Sequence, residues 1–195
     1  MALGKRTRLG LRLFAGTALV AAWIAALAYG SHVMMAYDTT AGRAASRAPA
    51  VSSSKARAWT CVMVVHPDCP CTRASLSALR EIVARYNERV EFRIVMVSET
   101  PRLDSPNFAA ACRIPEAAVS WITPQRADEL YDSYTSGQAF ILDRNGDVAF
   151  SGGITPGRGT DKPEFAMQLF ESVLAGKPVR KTSPVYGCEL QTEEK

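Results

Sequence analysis

Histidine is almost missing from this chain. There are two in 195 residues, and one of them, His32, lies in an apolar stretch near the N-terminus. A folded region left with His66 alone has little from which to build a Ser-His-Asp relay, and no paired carboxylates stand out in its place. Excess charge is missing too. The formal net charge is +4, but Lys5, Arg6, Arg8 and Arg12 all precede the apolar stretch. Setting these four aside from the 23 basic residues leaves as many as the 19 acidic ones. A neutral remainder offers no basic patch for nucleic acid. No internal repeat is visible.

Charge disappears altogether from Leu13 to Ala36, His32 apart. That run is long enough to cross a bilayer as a helix. The basic residues before it predict a cytoplasmic N-terminus and an exported remainder, periplasmic and held at the inner membrane. Ala26-Leu27-Ala28 offers a small-x-small cleavage site, so a removed signal peptide is the alternative. Apolar residues continue past Ala28, which favours the uncleaved anchor. The expected organisation is a basic stub and membrane helix over 1–36, a flexible linker over 37–58, a folded domain over 59–190 and a tail over 191–195. The linker is rich in Ala, Ser, Thr and Arg and too poor in large apolar residues to build a core. A domain of roughly 130 residues buries an adequate core without disulfide staples.

Within the domain, Trp59 to Val65 is a continuous apolar run of strand length, as in a central parallel strand covered on both faces. Leu76, Leu79, Ile82, Val83 and Tyr86 then recur at helical spacing, with Arg73, Ser77, Arg80 and Arg85 opposite. Pro70 suits the first turn of that helix. Val90 to Val97 reads as a second strand, Asp104 to Ile114 as loop plus short helix, Ala118 to Ile122 as a short strand and Gln125 to Tyr131 as a short helix. Gln138–Leu142 and Val148–Phe150 flank Asp143-Arg144-Asn145-Gly146-Asp147, a hairpin whose Asn-Gly supplies positive φ. Pro163 to Leu174 reads as a last helix, stopped by Gly176 and Pro178. A βαβ start and a ββα end around a mixed sheet is the thioredoxin order.

The chemistry concentrates in His66-Pro67-Asp68-Cys69-Pro70-Cys71, at the junction between the first strand and its helix. A cysteine at a helix N-terminus feels unpaired N–H groups and the positive end of the helix dipole, which stabilise its thiolate. Cys69 is expected at the N-cap or first turn as the attacking thiol, with Cys71 resolving the mixed disulfide. A Cys-Pro-Cys disulfide closes a small, strained ring and should be readily reduced, giving an oxidising or isomerising poise. His66 would add positive charge. The second reading is metal: His66, Cys69 and Cys71 form an H-x-x-C-x-C set with soft ligands for copper(I) or zinc. Cys61 lies inside the apolar strand and reads as core. Cys112 could be core, a resolving thiol or the partner of Cys188, which sits in the tail segment Pro184 to Cys188. An odd count of five leaves one cysteine over if all pairs form.

Three segments, HPDCPCTRASLSAL, TSGQAFILDRNGDVAFSGGIT and SPVYGC, together resemble RedB-type redoxins, membrane-anchored members of the thioredoxin-like superfamily. The resemblance implies a thioredoxin-like fold and redox work on protein thiols or disulfides of the cell envelope, without a cofactor. Two departures from the thioredoxin pattern matter. One residue, not two, separates the cysteines, and Gly137 or Gln138 stands where thioredoxins carry a proline that helps keep metal off the thiols. The glycine-rich Gly152 to Gly159 lacks the Gly-Lys-Ser/Thr ending of a phosphate loop and follows a hairpin. In the thioredoxin order it borders the active-site surface, as a substrate contact or as a plain connection.

Overall fold

A computed structural model of the chain describes residues 3–45, 49, 59–178 and 180–190. Two units emerge, Met1–Thr40 and Ala41–Lys195. The first is one helix, α1 (Leu3–Thr39), and its segment Phe14–Thr39 is long and apolar enough to cross a membrane. At 1.5 Å per residue those 26 residues exceed a hydrocarbon core of about 30 Å. Leu19, Trp23, Ile24, Leu27 and Met34 all project outward from it.

The second unit holds β1 (Trp59–Val65), α2 (Thr72–Tyr86), β2 (Val90–Val97), α3 (Pro106–Ala111), β3 (Ala117–Ile122), α4 (Pro124–Tyr131), β4 (Gln138–Leu142), β5 (Val148–Gly153) and α5 (Pro163–Leu174). The strands form one sheet in the order β3-β2-β1-β4-β5. β1 pairs with β2, and β2 with β3, in parallel; β4 runs antiparallel to both β1 and β5.

Alternation along β1 explains its unbroken apolar run. Cys61, Met63 and Val65 face the helices α2 and α5, while Val62 and Val64 face α4 with Tyr131, Phe140 and Leu142. Both faces are covered, so no position can be polar at low cost. On the α2 side, Phe170 stacks against Tyr86 and Phe92 at centroid distances of 6.3 and 6.2 Å. Burying a ring of this size contributes about 1.5–3 kcal/mol. The hairpin between β4 and β5 turns on Gly146 at φ 86°, with Asp143 Oδ1 accepting the N–H groups of Asn145 and Asp147. Asn145 keeps negative φ, so the glycine alone supplies the left-handed residue.

Two boundaries differ from the sequence reading. α1 continues through 37–39, and Gly42 to Ala45 lie along the folded unit instead of floating as linker. There the Gly42 N–H donates to the Val185 carbonyl at 2.8 Å and the Ala45 N–H to Gln138 Oε1 at 3.2 Å. Residues 46–48 and 50–58 of the expected linker, and the tail 191–195, lie outside the described residues. The helix α2 begins at Thr72 with Cys71 as its N-cap, so Pro70 precedes the helix rather than starting it.

Candidate active site

The end of β1 delivers the chain into a tight loop, and α3 holds that loop in place. Asn107 is buried and gives both amide hydrogens to it, to the His66 carbonyl at 2.9 Å and the Cys69 carbonyl at 2.8 Å. Its own N–H donates to the Pro67 carbonyl at 3.3 Å, and its Oδ1 has no hydrogen-bond partner. Nothing in the sequence pattern marked Asn107, which sits between Pro106 and Phe108 in the first turn of a short helix.

This loop buries Cys69, which is 1% exposed, and surrounds its sulfur with donors. The backbone N–H of Cys188 reaches Sγ at 3.2 Å. The backbone N–H and the hydroxyl of Thr72 also donate to it, as does the Cys188 thiol. The Cys69 sulfur thus satisfies the first N–H of α2, the service an N-cap side chain usually gives, while the formal cap Cys71 makes no such bond. Burial pushes the Cys69 thiol up, but the hydrogen bonds from Cys188 and Thr72 outweigh it and hold the pKa below the ordinary thiol value.

The donors are themselves oriented. Thr72 Oγ1 lies 2.6 Å from Ser136 Oγ, and Ser136 Oγ accepts the His66 N–H at 2.8 Å. A hydroxyl has one proton. If Thr72 spends its proton on the Cys69 sulfur, Ser136 must donate to Thr72, and the His66 N–H completes the chain.

Cys188 arrives from the far end of the sequence on a segment strapped across β5 and the loop before β4. Ser136 N–H donates to the Cys188 carbonyl at 2.8 Å, and Leu190 N–H to the Tyr134 carbonyl at 2.9 Å. Gly187 lies so close to the Ser136 carbonyl that any Cβ there would collide with it. The glycine pair 152–153 plays a similar part, letting Ser183 and Pro184 pass against β5. Burial, the hydrogen bond to Cys69 and the nearby Cys69 and Cys71 sulfurs push the Cys188 thiol up to about 12, with Arg158 opposing.

Arg158 comes from the glycine-rich loop after β5. Its Nη1 donates to the Gly187 carbonyl at 3.0 Å and stands 3.9 Å from Cys71 Sγ. The loop does border the thiol surface. Cys71 and Cys188 are partly exposed.

Three expectations need revision. His66 is not a positive neighbour: burial and Arg102 hold its pKa down against the pull of Asp68, and its Nδ1 accepts the Asp68 N–H at 3.2 Å. The set His66, Cys69 and Cys71 does not assemble as ligands, and among the described residues no group of three His, Cys, Asp or Glu side chains is placed to hold a metal. Cys112 is exposed, while Cys188 stands at the Cys69 sulfur. Cys61 is core, as expected, and burial raises its thiol to about 12.

The sequence matches no family model and no curated protein. Among solved structures, an uncharacterised conserved protein from Geobacillus kaustophilus superposes with a TM-score of 0.59 at 18% identity, over 81% of this chain and 93% of that one. A hypothetical protein from Sinorhizobium meliloti 1021 gives 0.53 at 16% identity, over 70% and 81%. A thioredoxin-like protein in its oxidised form superposes more loosely, at 0.48 and 12% identity over 67% and 96%. With parallel β1 and β2, antiparallel β4 and β5, helices on both faces and a thiol pair where β1 meets α2, the fold of this chain is thioredoxin-like.

Proposed function

We propose that this chain is a membrane-tethered thiol–disulfide redox protein of the cell envelope, with Cys69 as its working thiolate. One observation carries the reading: four donors converge on a buried sulfur, a site suited to a charged sulfur rather than an inert core thiol. By contrast Cys61, buried to the same extent, lacks such donors among the causes of its shift and is driven toward the neutral form.

A low-pKa thiolate serves thiol–disulfide exchange in two ways. It is the sulfur that leaves readily when a disulfide is attacked, and it attacks in its turn when uncovered. Cys71 and Cys188 stand beside it as the accessible thiols. The segment Phe14–Thr39 would hold the domain at the membrane, and the basic residues before it support an orientation with the domain outside the cytoplasm. The partners are protein thiols or disulfides in that compartment, and the chemistry needs no cofactor. RedB-type redoxins remain the family it resembles, through HPDCPC and SPVYGC.

The test is exchange with a model dithiol peptide, using full-length protein in detergent. Cys69→Ser should reduce the rate to background. A Cys69→Ser protein as fast as the parent would sink the reading.

A further inference from the structure

Three thiols meet at this site, yet the sequence motif names two. Cys71 has helical backbone angles (φ −68°, ψ −33°), and its sulfur lies toward Arg158. Cys69 lies before that helix, and the donors to its sulfur come from Thr72 and Cys188. Cys188, 119 residues from Cys69, instead presents both its N–H and its thiol to the Cys69 sulfur. Its segment is held on both sides by Ser136, Tyr134 and Arg158. Cys69 is buried beneath it, so an outside molecule meets Cys188 first.

We propose that Cys188 is the disulfide partner of Cys69 and the sulfur that contacts the client thiol. This rests on the redox reading above and assigns its second residue. In the oxidising direction, a client thiolate attacks Cys188 Sγ. The Cys69–Cys188 bond breaks, and its electron pair leaves on Cys69 as the thiolate. The client is then joined to Cys188. A second client thiolate attacks the client sulfur of that mixed disulfide, closing the client's own disulfide and releasing Cys188, which takes up a proton. The client loses two electrons, and the protein disulfide becomes the Cys69 thiolate and the Cys188 thiol. The second proton lost by the client goes to solvent. An envelope disulfide, of a protein or a small molecule, restores the Cys69–Cys188 bond by the reverse exchange.

The resting thiols suit these roles. The site stabilises Cys69 as the leaving sulfur, and a low-pKa thiol leaves faster. Cys188 is kept protonated by burial and by its hydrogen bond to Cys69, so it does not compete as a nucleophile while Cys69 is a free thiolate. Arg158 bridges the Gly187 carbonyl and Cys71 and so keeps the Cys188 segment over the site.

Trypsin separates the candidates, since Cys69 and Cys71 fall with the buried Cys61 on the peptide 58–73 and Cys188 on 182–195. Full-length protein in detergent is oxidised with oxidised glutathione, thiol-blocked and digested without reduction. The expected product joins 58–73 to 182–195 and survives Cys71→Ser. Brief treatment of the oxidised protein with reduced glutathione, followed by acid quenching, should leave glutathione on 182–195. A bond confined to 58–73, with glutathione on that peptide and Cys188→Ser oxidising the dithiol peptide at the parental rate, would overturn the Cys188 assignment. In that event Cys69→Ser would still be inactive. Parental activity of Cys69→Ser would instead overturn the redox reading itself.

Discussion

The backbone N–H of Cys188 donates to the Cys69 sulfur at 3.2 Å, bridging 119 residues of sequence. That bond brings a C-terminal segment into the strand–helix junction where thioredoxin-like folds keep their thiols. It also separates the two sulfurs in character. Hydrogen bonds hold the Cys69 pKa below the ordinary thiol value, and burial with the bond to Cys69 pushes the Cys188 thiol up to about 12.

Thiolate absorbance followed through a pH titration should show this separation. One cysteine should titrate below the usual value of about 8.5, and Cys69→Ser should remove that transition. Thr72→Val deletes the hydroxyl donor and should move the transition up. Cys69→Ser should also bring the Cys188 transition down from about 12, since the neighbouring charge and the hydrogen bond to it are gone. An unshifted Cys188 would contradict the coupling.

The depressed Cys69 pKa also sets a pH dependence of stability. The folded chain gives up this proton before the unfolded chain does, so the stabilisation is complete above the unfolded thiol value and is lost as pH falls through the folded one. Denaturant midpoints of reduced protein should therefore rise with pH toward about 8.5. The Cys69→Ser protein should show a smaller rise.

Oxidation should stabilise the fold strongly. A Cys69–Cys188 bond closes a loop of 119 residues, and closing about 100 residues removes unfolded-chain entropy worth about 4.7 kcal/mol. A Cys69–Cys71 bond encloses a single residue and should change stability little. Denaturant unfolding of oxidised and reduced protein measures the difference directly.

Gly187→Ala should loosen the strap without touching a thiol. The new methyl group would meet the Ser136 carbonyl, and overpacking of this kind costs about 1–3 kcal/mol. Cys69 should then be alkylated roughly five- to a hundredfold faster, since about 1.4 kcal/mol is a factor of ten. Unchanged protection of Cys69 would show that the segment does not cover it.

Asn107→Ala removes both hydrogen bonds that hold the Cys69 loop from α3. Loss of the buried partners should cost about 1–3 kcal/mol by denaturant unfolding. The Cys69 pKa should shift by less than in Thr72→Val, because Asn107 binds the loop's carbonyls and not the sulfur.

Much of the fold is written locally. The apolar run Trp59 to Val65 marks β1, and Pro163 to Leu174 is α5 to the residue. Such elements follow from periodicity and from proline and glycine at their ends. α2 starts at Thr72, later than Pro70 suggested, and the Cys69 sulfur takes the Thr72 N–H from outside the helix. The position of Cys69 and Cys71 is legible because chain order fixes the strand–helix junction. The role of Cys188 is not, because its approach depends on tail packing against Ser136, Tyr134 and β5. Gly187 is the trace of that packing in the sequence, but a glycine beside a tail cysteine reads equally well as a turn. The same limit hid Asn107 and Ser136, whose partners lie 41 and 70 residues away.

The most direct measurement is the rate at which full-length protein in detergent exchanges disulfides with a dithiol peptide, before and after Cys69→Ser. The account predicts that this single change of sulfur to oxygen abolishes exchange while leaving the folded circular-dichroism spectrum unchanged. A folded Cys69→Ser protein that exchanges at the parental rate would contradict it.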